Sequence, residues 1–161
     1  MSKDTAENTA PNTADSGALS PELVPENCIA FNIGRAYRAV LRRYEQAFKA
    51  ADITTMQYGL LVHTAILEPA SGIEISQSSG HDPSTLSRTL AYMEEAGYIR
   101  GVKPVAGDRR KRVYSLTSAG RSKLNEALPL WEQVQKEILL EIGEEQWVEG
   151  LKSLKKIQQI N

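Results

Sequence analysis

The sequence predicts a mostly α-helical fold with one small β-hairpin. Three observations carry that expectation. Apolar residues recur every three or four positions through most of the stretch after residue 25, the spacing of one helical face. Asp82-Pro83 is a helix start: Asp82 can accept from the N–H groups of Ser84 and Thr85, and Pro83 sits at a first helical position where its missing N–H costs nothing. Two short runs, "YIRGV" and "RVYSL", flank "KPVAGDRRK", in which Pro104 and Gly107 place a bend.

The elements follow in order. Residues 1–24 are rich in Thr, Asn, Ala, Asp and Ser, with little to bury, so a disordered tail or an interaction arm is expected. From Pro25, the residues Ile29, Ile33, Tyr37, Val40, Tyr44 and Phe48 line one face of a long helix over 25–50. Arg35, Arg38, Arg42 and Arg43 fall elsewhere on it. Thr54 or Thr55 can cap a second helix carrying Met56, Leu60, Leu61, Thr64 and Leu67, which Pro69 closes. "ASGIEISQSSG" predicts a brief polar helix from about Ile73 to Ser79. The helix from Asp82-Pro83 stops at Gly97. After the hairpin, Thr117 caps a helix with Leu124, Leu128, Trp131, Val134, Ile138 and Ile142 on one face. Pro129 should kink it and Gly143 break it. A last helix from about Glu144 presents Trp147, Leu151, Leu154 and Ile157. The middle, 53–116, has the order of a winged helix-turn-helix. Helices at 25–50 and 117–161 flank it, and 25–161 reads as a single domain.

Several classes drop out. The one cysteine, Cys28, allows no internal disulfide. No apolar run reaches bilayer length, and the first residues lack the apolar core of a secretory signal, which leaves the cytoplasm as the default location. His63 and His81, the only histidines, show no metal-ligand spacing. There is no glycine-rich phosphate loop and no nucleophile motif, so neither an enzyme nor a cofactor is expected.

The net charge of −1 conceals a segregation. Residues 1–26 hold one cation and five anions, whereas residues 97–112 hold six cations and one anion. From Leu124 onward seven anions stand against four cations. A polyanion responds to the local field, not to the total. On a helical wheel of 82–97, Leu86, Leu90 and Met93 share a narrow arc. Ser84, Thr85, Ser87 and Arg88 lie away from it. Small hydroxyls admit a helix into a major groove, and arginine can bond guanine in bidentate fashion. The same face is also what a plain solvated helix carries. The adjacent Arg109, Arg110, Lys111 and Arg112 favour the nucleic-acid reading, because four unpaired cations cannot enter a core. Asp108 can hold the turn in shape. A projecting arginine suits a narrow minor groove. The alternative is a basic edge that discourages strand aggregation.

The segment "DPSTLSRTLAYMEEAGYIR", followed by "GDRRKRVYSLTSAG", resembles the MarR/SlyA family of winged-helix transcriptional regulators. The likeness extends to "ALPLWEQVQKEI", "AFNIGRAYRAVLRRYEQAF" and "TTMQYGLL". Its most specific part is Asp108, Arg110, Leu116, Thr117 and Gly120. The resemblance implies a homodimer, formed through the terminal helices, on a pseudo-palindromic double-stranded DNA operator. It implies Arg110 in the minor groove, with Ser84, Thr85, Ser87 and Arg88 at the major groove. Repression is the family's usual mode. The amphipathic terminal helices independently suggest two-fold pairing. Two departures stand out. Ser76 and Ser79 occupy places where the family carries Ala and Leu, and the strand before them is eroded to "PASG", so the first helix of the turn should pack loosely.

The resemblance also implies control by a small aromatic or anionic effector, for which Arg35, Tyr37, Met56, Tyr58 and His63 are candidates by location. His63 equally suits a hydrogen-bonded packing role. Some relatives sense oxidants through a cysteine near the start of the first helix, and Cys28 invites that reading. In the hydroperoxide-sensing relatives, however, the cysteine directly precedes the phenylalanine. Ala30 stands there in this chain, and Glu26 opposes thiolate formation at Cys28. A winged module that docks an acidic protein is the remaining alternative.

Overall fold

The structure is a computed structural model that describes residues 20–103 and 112–160. The predicted tail over 1–24 falls almost wholly outside the described residues, as does the hairpin tip with Asp108, Arg109, Arg110 and Lys111. The chain divides into two units, Met1–Val40 and Leu41–Asn161.

In the first unit, a 3-10 turn (Pro21–Leu23) leads into α1 (Val24–Asn27) and then α2 (Ile29–Phe48), which continues into the second unit. The sequence predicts one helix from Pro25. The structure breaks it at Cys28, which is extended at φ −73°, ψ 117°. Asn32 explains the break: its Nδ2 donates to the carbonyls of Pro25 (3.3 Å), Glu26 (3.0 Å) and Cys28 (2.9 Å). Carbonyls at a helix end lack intrahelical donors, and this amide replaces some of them.

The second unit begins within α2 at Leu41 and continues with a 3-10 turn (Lys49–Ala51), then α3 (Thr55–Leu67). A capping box starts α3. Thr54 Oγ1 accepts the Gln57 N–H (3.2 Å), and Gln57 Oε1 accepts the Thr54 N–H (2.9 Å). Next come β1 (Ala70–Ser71) and α4 (Gly72–Ser79). Ser71 and Glu74 form a second capping box there. Gly80, at φ 69°, supplies the left-handed residue that ends α4. α5 (Pro83–Glu95), β2 (Ile99–Val102), β3 (Val113–Leu116), α6 (Ser118–Ile142) and α7 (Glu144–Ile157) complete the order.

The three strands form an antiparallel sheet in the order β1-β3-β2. Ile99 faces Leu116 and Val102 faces Val113, while Ala70 pairs with Tyr114 and Ser71 with Val113. The strand before α4 is thus short but paired.

The expected looseness of α4 is not what the packing gives. Ile75 is fully buried, and Ser76, at 7% exposure, donates its hydroxyl to the His81 carbonyl at 2.7 Å. A buried hydroxyl that is satisfied in this way replaces apolar contact with a directional tie across the turn.

Two cores result. Leu60, Leu61, Ile75, Leu86, Leu90, Met93, Ile99 and Leu116 are buried where α3, α4 and α5 meet the sheet. Phe48, Ala51, Ile53, Tyr58 and Ala127 form the second, with the Phe48 and Tyr58 rings 4.6 Å apart. α6 runs unbroken through Pro129, where the sequence predicts a kink. Asn125 is exposed, so the carbonyl that Pro129 deprives of its donor can face water. No described helix is long and apolar enough to cross a membrane.

Candidate nucleic-acid interface

The site begins at the head of α5. Asp82 Oδ1 accepts the N–H groups of Ser84 (2.9 Å) and Thr85 (3.1 Å), as well as the Ser84 hydroxyl. These bonds, the Ser84 hydroxyl foremost, hold the Asp82 carboxyl below its ordinary pKa. Ser84 therefore spends its proton on the cap and keeps only acceptor capacity outward.

Behind the cap the helix divides as the wheel predicts. Leu86, Leu90 and Met93 are buried at 3% exposure or less, whereas Ser84, Thr85, Ser87 and Arg88 are exposed. Those four side chains share the outward face of the first two turns. Burial of the opposite face fixes which way they point.

The wing's base is described from both sides. β2 and β3 pair from Ile99–Leu116 out to Val102–Val113. Arg112 does not extend freely from that end. Its Nη2 donates to Glu94 Oε1 (2.6 Å) and to the Gly101 carbonyl (3.2 Å). Its guanidinium carbon lies 5.9 Å from the centre of the Tyr114 ring. Glu94 Oε1 also accepts the Gly101 N–H at 3.1 Å. Sequence reasoning groups Arg112 with the tip cations. The structure ties it back to α5, and Glu94, which that reasoning missed, is its partner. Eighteen residues separate the two, and no local spacing signals such a pair.

At the other end of β3, Thr117 joins wing to helix. Its hydroxyl donates to the Gly97 carbonyl (2.6 Å) and accepts the Gly120 N–H (3.1 Å). Glu68, at the end of α3, accepts the Leu116 N–H (2.8 Å) and pairs with Arg121 (2.5 Å). These bonds seat the hairpin on the helices beneath it.

The effector candidates separate. Tyr58 is committed to the second core, and burial pushes its phenol up to about 12. Met56 packs at the rim of the first core. His63 Nδ1 shares a hydrogen bond with Ser78 Oγ at 2.9 Å. Burial first, then nearby His81, lower its pKa. In the first unit, Arg35 and Tyr37 are exposed, and Cys28 is half-buried at the α1–α2 break. Among the described residues no group of three His, Cys, Asp or Glu side chains is arranged to hold a metal.

Comparison with known proteins fits this geometry. The family model described as "MarR family" matches residues 51–111, from the end of the 3-10 turn before α3 to the residue before Arg112. The transcriptional regulator HosA of Escherichia coli O111:H- is 31% identical over 96 residues. That match covers 59% of this chain and 70% of HosA. The chain belongs to the MarR family. Its relatives of that kind are transcriptional regulators, and this chain is a MarR-family transcriptional regulator. The M. tuberculosis regulator MosR, solved in complex with DNA, superposes with a TM-score of 0.67 at 25% identity, over 83% of this chain and all of that one. BpsR of Bordetella bronchiseptica, whose DNA binding is regulated by 6-hydroxynicotinic acid, matches in fold. Its TM-score is 0.78 at 19% identity, covering 84% of this chain and 96% of BpsR. The fold match thus covers more than four-fifths of this chain, not only the winged middle.

Proposed function

We propose that this MarR-family chain acts as a homodimer on a pseudo-palindromic duplex operator, as a repressor. In this reading α5 enters the major groove and the wing tip enters the minor groove. The observation that carries it is the outward face of α5: Ser84, Thr85, Ser87 and Arg88 are exposed at a capped helix N-terminus, while the opposite face is buried. Arg88 is the base-reading side chain, since only it among the four can form a bidentate contact with guanine. Thr85 and Ser87 bond to bases or phosphates, and Ser84 serves mainly through the cap. Arg109, Arg110 and Lys111 supply the cationic tip, held in shape by Asp108. Arg112 anchors that tip at its root. MosR, crystallised with DNA, supports duplex binding. A small aromatic or anionic effector that releases the DNA is the control the family resemblance implies.

The test compares cognate and random duplex across a salt titration. Arg88→Ala should cost about 1–3 kcal/mol on the cognate site and little on random sequence. Arg110→Ala should weaken both and flatten the salt slope by roughly one ion. Equal losses for Arg88→Ala on both duplexes would remove it from the reading role.

A further inference from the structure

The bonds around Glu94 do more than decorate the end of α5. Glu94 is the last residue but one of the helix whose first two turns carry the outward hydroxyls and Arg88. Its single Oε1 gathers two donors from the hairpin, the Gly101 N–H of β2 and the guanidinium of Arg112, the residue before β3. Arg112 in turn closes onto the Gly101 carbonyl. Gly101 makes this closure available. A Cβ there would lie 2.9 Å from Tyr114 Cε1 and 3.0 Å from Arg112 Nε, so a larger residue would force the Tyr114 ring and the Arg112 side chain to shift. The carboxylate, the glycine and the guanidinium therefore form a latch between α5 and the Val102–Val113 end of the β2–β3 pair.

We propose that Glu94 is a positioning residue for DNA binding: it fixes the wing against α5, so that the tip and the reading helix meet one duplex in register. This rests on the nucleic-acid reading above. A bound state needs both parts placed together, and a root left free to swing must be ordered at the moment of binding. The two bonds are charge-assisted or made to a backbone amide. The pair is only partly covered, with side-chain exposures of 51% for Arg112 and 28% for Glu94, so its value is geometric more than energetic.

The sign of the effect separates this idea from simple electrostatics. Glu94 is an anion near a surface that should meet phosphates, so deleting its charge should by itself tighten binding. Glu94→Ala and Glu94→Gln remove the same charge, but only glutamine keeps an oxygen that can accept from Gly101 and Arg112. The full-length protein is titrated with cognate duplex by fluorescence anisotropy, and thermal melts confirm that each variant folds. The expected result is roughly fivefold weaker binding for Glu94→Ala and wild-type or tighter binding for Glu94→Gln. The alanine penalty should also shrink in an Arg110→Ala background, where the tip has less to deliver. If the alanine variant unfolds, Glu94→Ser, too short to reach the wing, takes its place. Alanine and glutamine variants that bind alike would overturn the assignment while leaving the DNA reading intact. Wild-type protein that binds no duplex at all would overturn both.

Discussion

Gly120 shows how one residue decides a junction. A Cβ built there would lie 1.9 Å from the Tyr98 carbonyl oxygen, a backbone atom that cannot step aside. The approach is this close because Thr117 caps α6 while bonding back to Gly97 and Tyr98, which draws the helix start onto the loop before β2. Gly120→Ala should therefore lower stability by at least ~2 kcal/mol, as overpacking against backbone does. Urea unfolding checks it, and an unchanged midpoint would mean the close approach is relaxed in solution. The spacing of Leu116, Thr117 and Gly120, which carries much of the family resemblance, is in physical terms a cap with no space for a side chain beside it.

At the scale of elements, α3, α4 and the turn before α5 share a histidine cluster. His63 on α3 bonds Ser78 on α4, and Ser76 on α4 holds the carbonyl of His81 in the turn. The Nδ1 atom of His81 is buried and has no hydrogen-bond partner among the described residues. Asp82, the nearest acid in sequence, is occupied with its cap. Protonating the partly buried His63 ring places a cation beside the His81 ring. The His63 pKa is lowered in the folded protein, so the unfolded chain binds this proton more readily. The stability it contributes is present above the unfolded pKa of about 6.5 and is lost as pH falls below it. Melting temperatures at pH 7.5 and 5.5 should differ more for wild type than for His63→Gln. Equal differences would show that the cluster does not govern the acid response.

For the whole molecule, apolar surface is the unresolved demand of a lone chain. On α2, Ile29 and Tyr37 are 66% and 60% exposed, and near the other end Leu140 is 77% exposed. Val148 and Ile142 are also exposed. Faces of this kind mark interaction surfaces, and pairing through a two-fold axis covers the same surface on both copies at once. Sedimentation at micromolar concentration should give twice the chain mass, and Leu140→Asp should shift the equilibrium toward monomer. A wild-type monomer under those conditions would contradict the dimer and, with it, the spacing of two reading helices.

The sequence by itself determined the kinds of element, their order and the outward face of α5. Those depend on local periodicity, on caps such as Thr54, Asp82 and Thr117, and on stops such as Gly143, all of which act within a few residues. It also located the basic run at 109–112, because four adjacent cations are visible without any fold. Only the tertiary structure decided that Arg112 turns back to Glu94, that Ser76 repairs its own burial through His81, that Tyr58 is spent in a core, and that Asn32 interrupts the first helix at Cys28. Each is a choice of hydrogen-bond or packing partner, and residue type cannot settle it. Such a choice depends on which backbone atoms and side chains the packed helices bring within about 3 Å of each other.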